Sequence, residues 1–290
     1  MNMLQFILSF LSIGSLYAIM SVGFALVFSV SRLSNFSHGS AVAVAAYIGY
    51  FLLTAGIPWY FALILTMIGS AILDGLIELV ALRRIRKNGS SPTIMFVATI
   101  TVMMLLQNIM TLLFTANPRR YPSLFRSSML TIGDAKLSKT NLIIILMTIV
   151  SLLILDWFIK KTRFGCAIRA SAEDRITSSL MGIKTDFVIS VVFMIAGVLA
   201  GLAGFFMGSR YSVYPSFGQI VGKAFVSTII GGLGSISGAV LGGFLLGLIE
   251  VVITYLLGST WVPIFSFGIT IAFMVFRPQG LAGKRIEDKA

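Results

Sequence analysis

Between Leu4 and Val30 the chain reads LQFILSFLSIGSLYAIMSVGFALVFSV, without a single charge. A helix needs about 20 consecutive, mostly apolar residues to cross a bilayer. This stretch therefore reads as a membrane span. It is too long for a signal-peptide core, and no basic leader or small-residue cleavage site precedes it, so it is expected to be retained.

Working outward, comparable runs cover Gly39 to Ala55, Trp59 to Leu82, Thr93 to Thr115, Asn141 to Ile159, Phe187 to Gly208, Val221 to Leu233, Gly238 to Leu257 and Val262 to Phe276. The runs from Val221 and Val262 are short for a full crossing. All should be helices, because hydrocarbon offers backbone groups no other partner. The alternation of a transmembrane barrel is missing. The expected fold is all-α: a polytopic transmembrane helix bundle of about eight to nine spans, one domain over residues 1–290.

Composition agrees. The chain has 290 residues, 57% of them hydrophobic and 11% charged. Soluble domains carry roughly 25% charged residues, so a soluble enzyme, a disordered chain and a nucleic-acid-binding protein are excluded. The net charge of +12 belongs in cytoplasm-facing loops. Arg83, Arg84, Arg86 and Lys87 form one basic loop. Lys160, Lys161, Arg163, Arg169, Arg175 and Lys184 form a second, and Arg277, Lys284, Arg285 and Lys289 lie in the tail. A minority loop with Arg119, Arg120, Arg126, Lys136 and Lys139 must lie on the other side. Placing the majority inside puts the N-terminus outside and the C-terminus in the cytoplasm. This requires four crossings between Lys184 and the tail, so a Val221 segment that only dips in and returns would break the count.

Several residues carry candidate chemistry. In Ile230 to Glu250, Gly234, Gly238 and Gly242 recur every four residues, as do Gly243 and Gly247; Gly197 with Gly201 and Gly204 with Gly208 repeat the pattern earlier. Such stripes let helix backbones approach closely. Gly231, Gly232, Gly234 and Ser235 break the helix, and breaks at membrane depth line cavities. Glu250 lies deep in a span and reads either as the partner of a basic group on an adjacent helix or as a gating residue. Asp74 and Glu78 share one face above Arg83 and Arg84, which suggests an ion-pair lock; Asp156 ahead of Lys160 reads the same way. Lys223 is expected to snorkel outward. In Asn35-Phe36-Ser37-His38-Gly39, Asn35 can cap a helix starting near Gly39, or the turn, with His38, touches a path through the bundle. One histidine and one cysteine, Cys166, make neither a zinc site nor a disulfide.

The cytoplasmic segment 162–186 spaces Ile168, Ile176, Leu180 and Met181 for one helical face, with Gly182 as a stop. It reads as a short helix lying on lipid headgroups or docking a soluble partner. The chain has no GxxxxGK[ST] phosphate loop, nucleophile elbow or HExxH pair, so no catalytic residue or metal ligand is assigned.

Taken together, these motifs resemble LivH-type permeases, the membrane subunits of branched-chain amino acid ABC importers. The resemblance rests on Asn35 to Gly39 (Ser37 standing where the family has Ala), Pro122 to Phe125, Gly165 to Asp186, Lys223 to Phe225, Gly231 to Ala239 and Arg277 to Leu281. It implies a multi-pass protein of the bacterial inner membrane with a second LivM-like permease, two cytoplasmic ATPases that hydrolyse ATP with Mg, and an external amino-acid-binding protein. The chain itself binds no cofactor and is no enzyme. Gly165, Arg169, Ala170, Glu173, Asp174, Gly182 and Ile183 then belong to an ATPase-coupling segment. Asn35, His38, Gly39, Gly231, Gly232, Gly234, Ser235 and Glu250 belong to the path. The rival expectation is a stand-alone secondary transporter or channel for a small amide, urea or amino acid.

Overall fold

A computed structural model describes residues 3–122, 124, 129–132, 135–277 and 280–282. The helices among them are α1 (Met3–Ser31), α2 (Ser37–Thr54), α3 (Trp59–Ile77), α4 (Arg83–Lys87), α5 (Pro92–Phe114), α6 (Lys139–Lys161), α7 (Arg163–Glu173), α8 (Arg175–Leu180), α9 (Thr185–Arg210), α10 (Val221–Gly231), α11 (Ile236–Leu256) and α12 (Val262–Phe276). A π-helical turn, Glu78–Leu82, joins α3 to α4, and a 3-10 helix, Pro215–Ile220, leads into α10. The expected helical bundle carries one addition: a hairpin of β1 (Met129–Ile132) and β2 (Ala135–Ser138), antiparallel with Met129 opposite Ser138. The motif positions Ser123, Phe125, Arg126, Pro278, Gln279, Lys284, Arg285 and Lys289 lie outside the described residues.

Among the described residues, eight helical stretches are long and apolar enough to cross a bilayer. A ninth passage is built in pieces. α10 has 11 residues and the 3-10 helix before it 6, together about 28 Å of rise. α10 runs alongside α1 in the same direction: Lys223 reaches Tyr17, the Ser21 hydroxyl donates to Ser227 at 2.7 Å, and Gly234 beyond it abuts Ser29. α11 runs back, with Gly243 against Ala18 and Gly247 against Gly14. The start of α1 and the end of α12 therefore lie at opposite ends of the bundle. Four passages separate Lys184 from Arg277, as the charge count requires.

Small residues decide what sits at the centre. Without a hydrophobic drive between helices in lipid, close backbone packing holds a bundle together. α1 and α9 are buried along most of their length. A Cβ at Gly197 would stand 2.7 Å from the Ala71 Cα, and one at Gly201 2.6 Å from the Met67 Cα. Gly204 faces Val42 and Gly208 faces the Tyr121 ring; Gly238 and Gly242 face α10. The stripes are thus filled by neighbours within this chain. Gly234 is corrected as a member of its stripe: it lies in the turn before α11, at φ 83°. α3, α5, α6 and α12 form the rim, turning Ile64, Ile68, Leu105, Leu112, Leu146, Leu153, Phe267 and Ile271 outward.

Candidate functional site

At one end of the bundle lie the segment 162–186, the end of α1, the turn after α10 and the start of the tail. The Arg32 guanidinium donates to the Ala172 carbonyl at 2.9 Å. The amides of Leu281 and Ala282 donate to the carbonyls of Ile230 and Gly231, each at 2.9 Å. Gly231, Gly232, Gly234 and Ser235 make this turn, with Gly232 and Gly234 at φ of 112° and 83°. Ser235 caps α11 by accepting from the Gly238 amide at 3.1 Å. Their break falls at the end of the bundle, where the chain reverses into an antiparallel pair. This corrects its reading as a break at membrane depth.

The segment itself is two helices. Thr162 caps α7, accepting from the Gly165 amide at 2.9 Å, and Gly165 lies so close to the Ile159 backbone that a Cβ would not fit. The Arg169 guanidinium donates to the Ile159 carbonyl. Asp174 then ends α7 and starts α8, its Oδ1 accepting from the amides of Ile176 at 2.8 Å and Thr177 at 3.2 Å. The single apolar face expected here is corrected. Ile168 is buried toward the bundle, whereas Ile176, Leu180 and Met181 are 75%, 82% and 79% exposed. The new cap at Asp174 turns them outward. Gly182 stops α8 at φ 85°, as its position suggests. Hollows of about 440 and 270 Å³ flank α8. Gly182, Ile183 and Arg83 line the larger; Ala170, Glu173, Asp174 and Met181 line the smaller. Cys166 is exposed on the same segment.

A charge network fastens this segment to the bundle. Asp186 accepts from Arg175 at 2.8 Å and from Arg86 at 3.3 Å; Arg86 also pairs with the fully buried Glu78 at 2.6 Å, and Ser190 donates to Glu78 at 2.6 Å. Burial, followed by the repulsion of Arg86, lowers the Arg175 guanidinium from its usual pKa. The expected lock between Glu78 and Arg83 or Arg84 is corrected. The wider π-helical turn changes the register, so that Arg86 comes round to Glu78. Asp156 and Lys160 do pair, at 2.8 Å on the surface.

Asp74 has a different partner altogether. Its Oδ2 lies 3.3 Å from His38 Nδ1, with both side chains fully buried between α2 and α3. Among the described residues, His38 Nε2 and Asp74 Oδ1 have no hydrogen-bond partner. His38 packs at Gly23, where a Cβ would stand 2.8 Å from its Nε2. Asn35 accepts from the Ser37 amide at 3.2 Å, but α2 starts at Ser37 with Phe36 in the cap position and no side-chain cap, which corrects the expected Asn35 cap. Gly39 packs against Gly218 and Val221.

Glu250 does meet a basic group of a neighbouring helix. Lys223 Nζ lies 2.7 Å from its Oε1, and the Tyr17 hydroxyl donates to Oε2 at 2.7 Å. The outward snorkel of Lys223 is corrected, because the buried carboxylate draws the amine inward. Sequence reading missed Arg210, which donates to Ser12 and Asn141 at 3.0 and 3.2 Å. It also missed Tyr121, whose hydroxyl donates to the Ala46 carbonyl at 2.6 Å and whose pKa burial raises. Among the described residues no three His, Cys, Asp or Glu gather as metal ligands.

Residues 6–274 match the family model described as branched-chain amino acid transport system / permease component. The chain belongs to that family. This permease is 31% identical over 301 residues to the high-affinity branched-chain amino acid transport system permease protein LivH of Salmonella typhimurium, covering 99% of this chain and 97% of the relative. It is 30% identical, with the same coverage, to BraD of Pseudomonas aeruginosa, a permease protein of the same kind. Its fold is similar to a chain of PsaBC from Streptococcus pneumoniae in complex with Fab, with TM-score 0.53 and 14% identity over 94% of this chain and 92% of that one. The permease is a multi-pass membrane protein and a transport subunit.

Proposed function

We propose that the permease is one half of the solute path of an ATP-driven importer in the inner membrane, carrying branched-chain or other apolar amino acids inward. The end bearing 162–186 faces the cytoplasm, because Arg83, Arg84, Lys87, Lys160, Lys161, Arg163 and Lys184 collect around it. The N-terminus is then outside and the tail inside. A larger LivM-like permease completes the path, two ATPases bind and hydrolyse Mg-ATP, and an external binding protein delivers the solute.

The observation that carries this reading is the unpartnered apolar edge Ile176, Leu180 and Met181 between two hollows, at the basic end of a permease. Exposed apolar groups of this size need a partner. Asp174 holds α8 in position, and Asp186 ties it to α9 and, through Arg86, to α4. A push on α8 therefore reaches two parts of the bundle at once. Rocking between outward-open and inward-open states follows if nucleotide favours one of them.

The test replaces Glu173 and Asp174 with Ala in the assembled complex. Uptake and solute-stimulated ATP hydrolysis should both fall while the complex stays assembled. Unchanged uptake would remove the coupling role. Ion-driven uptake by this chain reconstituted alone would favour the stand-alone transporter.

A further inference from the structure

The ion pair of Lys223 and Glu250 differs from that of Arg86 and Glu78 in one respect. In Arg86 and Glu78 both side chains are covered, at 6% and 0% exposure; Glu250 is 7% exposed but Lys223 is 35% exposed. A lock between helices has no need of an open cation. The opening also lies at a costly depth. Lys223 Nζ sits 2.9 Å from the Tyr17 hydroxyl, and Tyr17 is the central residue of the 29-residue α1. A charge open to lipid at that level is strongly unfavourable, and such residues mark substrate pathways.

The surroundings are polar as well. Gln219 is exposed, and the place of a Cβ on Gly222 has nothing within 4 Å. Gln219 stands in the 3-10 helix that leads into α10, three and four residues ahead of Gly222 and Lys223, spacings that keep the three on one side. On α3, α6 and α12 the rim at such depths is apolar: Ile68 on α3, Ile149 and Leu153 on α6, Phe267 and Ile271 on α12. An ammonium has three donors. The Tyr17 oxygen takes one and Glu250 holds the ammonium as an ion pair, so a donor is left for a passing acceptor. Tyr17 accepts from Lys223 and donates to Glu250, which fixes the amine from behind.

We propose that Gln219, Gly222 and Lys223 form a carboxylate-recognising station on the solute path, with Lys223 donating to the carboxylate of a passing amino acid and Glu250 and Tyr17 as positioning residues. This rests on the importer reading above. It adds a polar contact where the sparse charge of the spans suggests none.

The test uses the assembled complex in vesicles, with Cys166→Ser as background, and Gly222→Cys or Gln219→Cys exposed to a charged, membrane-impermeant methanethiosulfonate. Thiolates form and react in water, so both sites should label at least about tenfold faster than Leu153→Cys on the lipid-facing side of α6. Leucine should slow that labelling, and Lys223→Met should cut maximal leucine uptake more than Lys223→Arg does. Labelling no faster than at Leu153→Cys, or unaffected by leucine, overturns the station. Leucine uptake by the Cys166→Ser complex is measured in parallel: its absence counts against the importer reading, whereas normal uptake with inert cysteines at 219 and 222 counts against the station alone.

Discussion

Arg175 and Asp186 face each other at 2.8 Å across the turn that joins α8 to α9, and Asp186 shares its Oδ1 with Arg86. One carboxylate thus ties the surface helix α8 to two parts of the membrane bundle. Asp186→Asn should weaken both links and leave every helix in place. The expected outcome is a several-fold loss of solute-stimulated ATP hydrolysis with only a small fall in the melting temperature of the purified complex, since the covered Arg86 keeps Glu78 as its partner and the part-exposed Arg175 pair is of a kind that contributes about 0–1 kcal/mol. A large fall in melting temperature would mean that Asp186 holds the fold instead.

Arg86 and Glu78 should behave in the opposite way. Both side chains are covered, and removing one member of a buried pair costs about 3–5 kcal/mol because the other charge is left unpaired. Arg86→Met should therefore sharply lower the melting temperature in detergent. Adding Glu78→Gln should restore much of the loss. No recovery in the double variant would contradict the pairing.

Gly39 and Gly218 test the close packing beneath the start of α2. A Cβ at Gly39 would stand 2.7 Å from the Val221 Cβ, and one at Gly218 2.8 Å from the Gly39 carbonyl oxygen. Overpacking of this kind costs about 1–3 kcal/mol. Gly39→Val is expected to lower the yield of folded protein on size-exclusion chromatography. Gly268→Ala on α12, where nothing lies near the added carbon, should leave it unchanged.

His38 and Asp74 predict a coupled pair. Each leaves a buried polar atom without a partner if the other is lost, at about 1–3 kcal/mol. The stability losses of His38→Leu and Asp74→Leu should add to clearly more than the loss of the double variant. Simple additivity in the thermal melts would separate the two residues.

The membrane passages were legible because uncharged runs as long as a bilayer have few alternative readings. The glycine repeats announced close packing, although their partners on α1 and α3 lie far off in sequence. Glu250 could be read as needing a cation. Its partner, Lys223, became visible only when α10 was laid against α11. The lock at Glu78 was misplaced because a π-helical turn leaves no mark in residue type. The division of 162–186 could have been found, since Asp174 followed by Arg175-Ile176-Thr177 has the form of a helix cap. The longer apolar pattern around it suggested one continuous helix.

The central claim is that a cytoplasmic ATPase grips α8. Its most direct measurement places a cysteine at Leu180 in a Cys166→Ser chain and treats inverted membrane vesicles of the whole complex with a short bifunctional thiol-to-amine cross-linker. The account predicts a covalent product between this chain and an ATPase subunit, its yield changing when ATP is added. Cross-links to lipid-facing or external subunits only, or labelling of position 180 from outside intact cells, would contradict it.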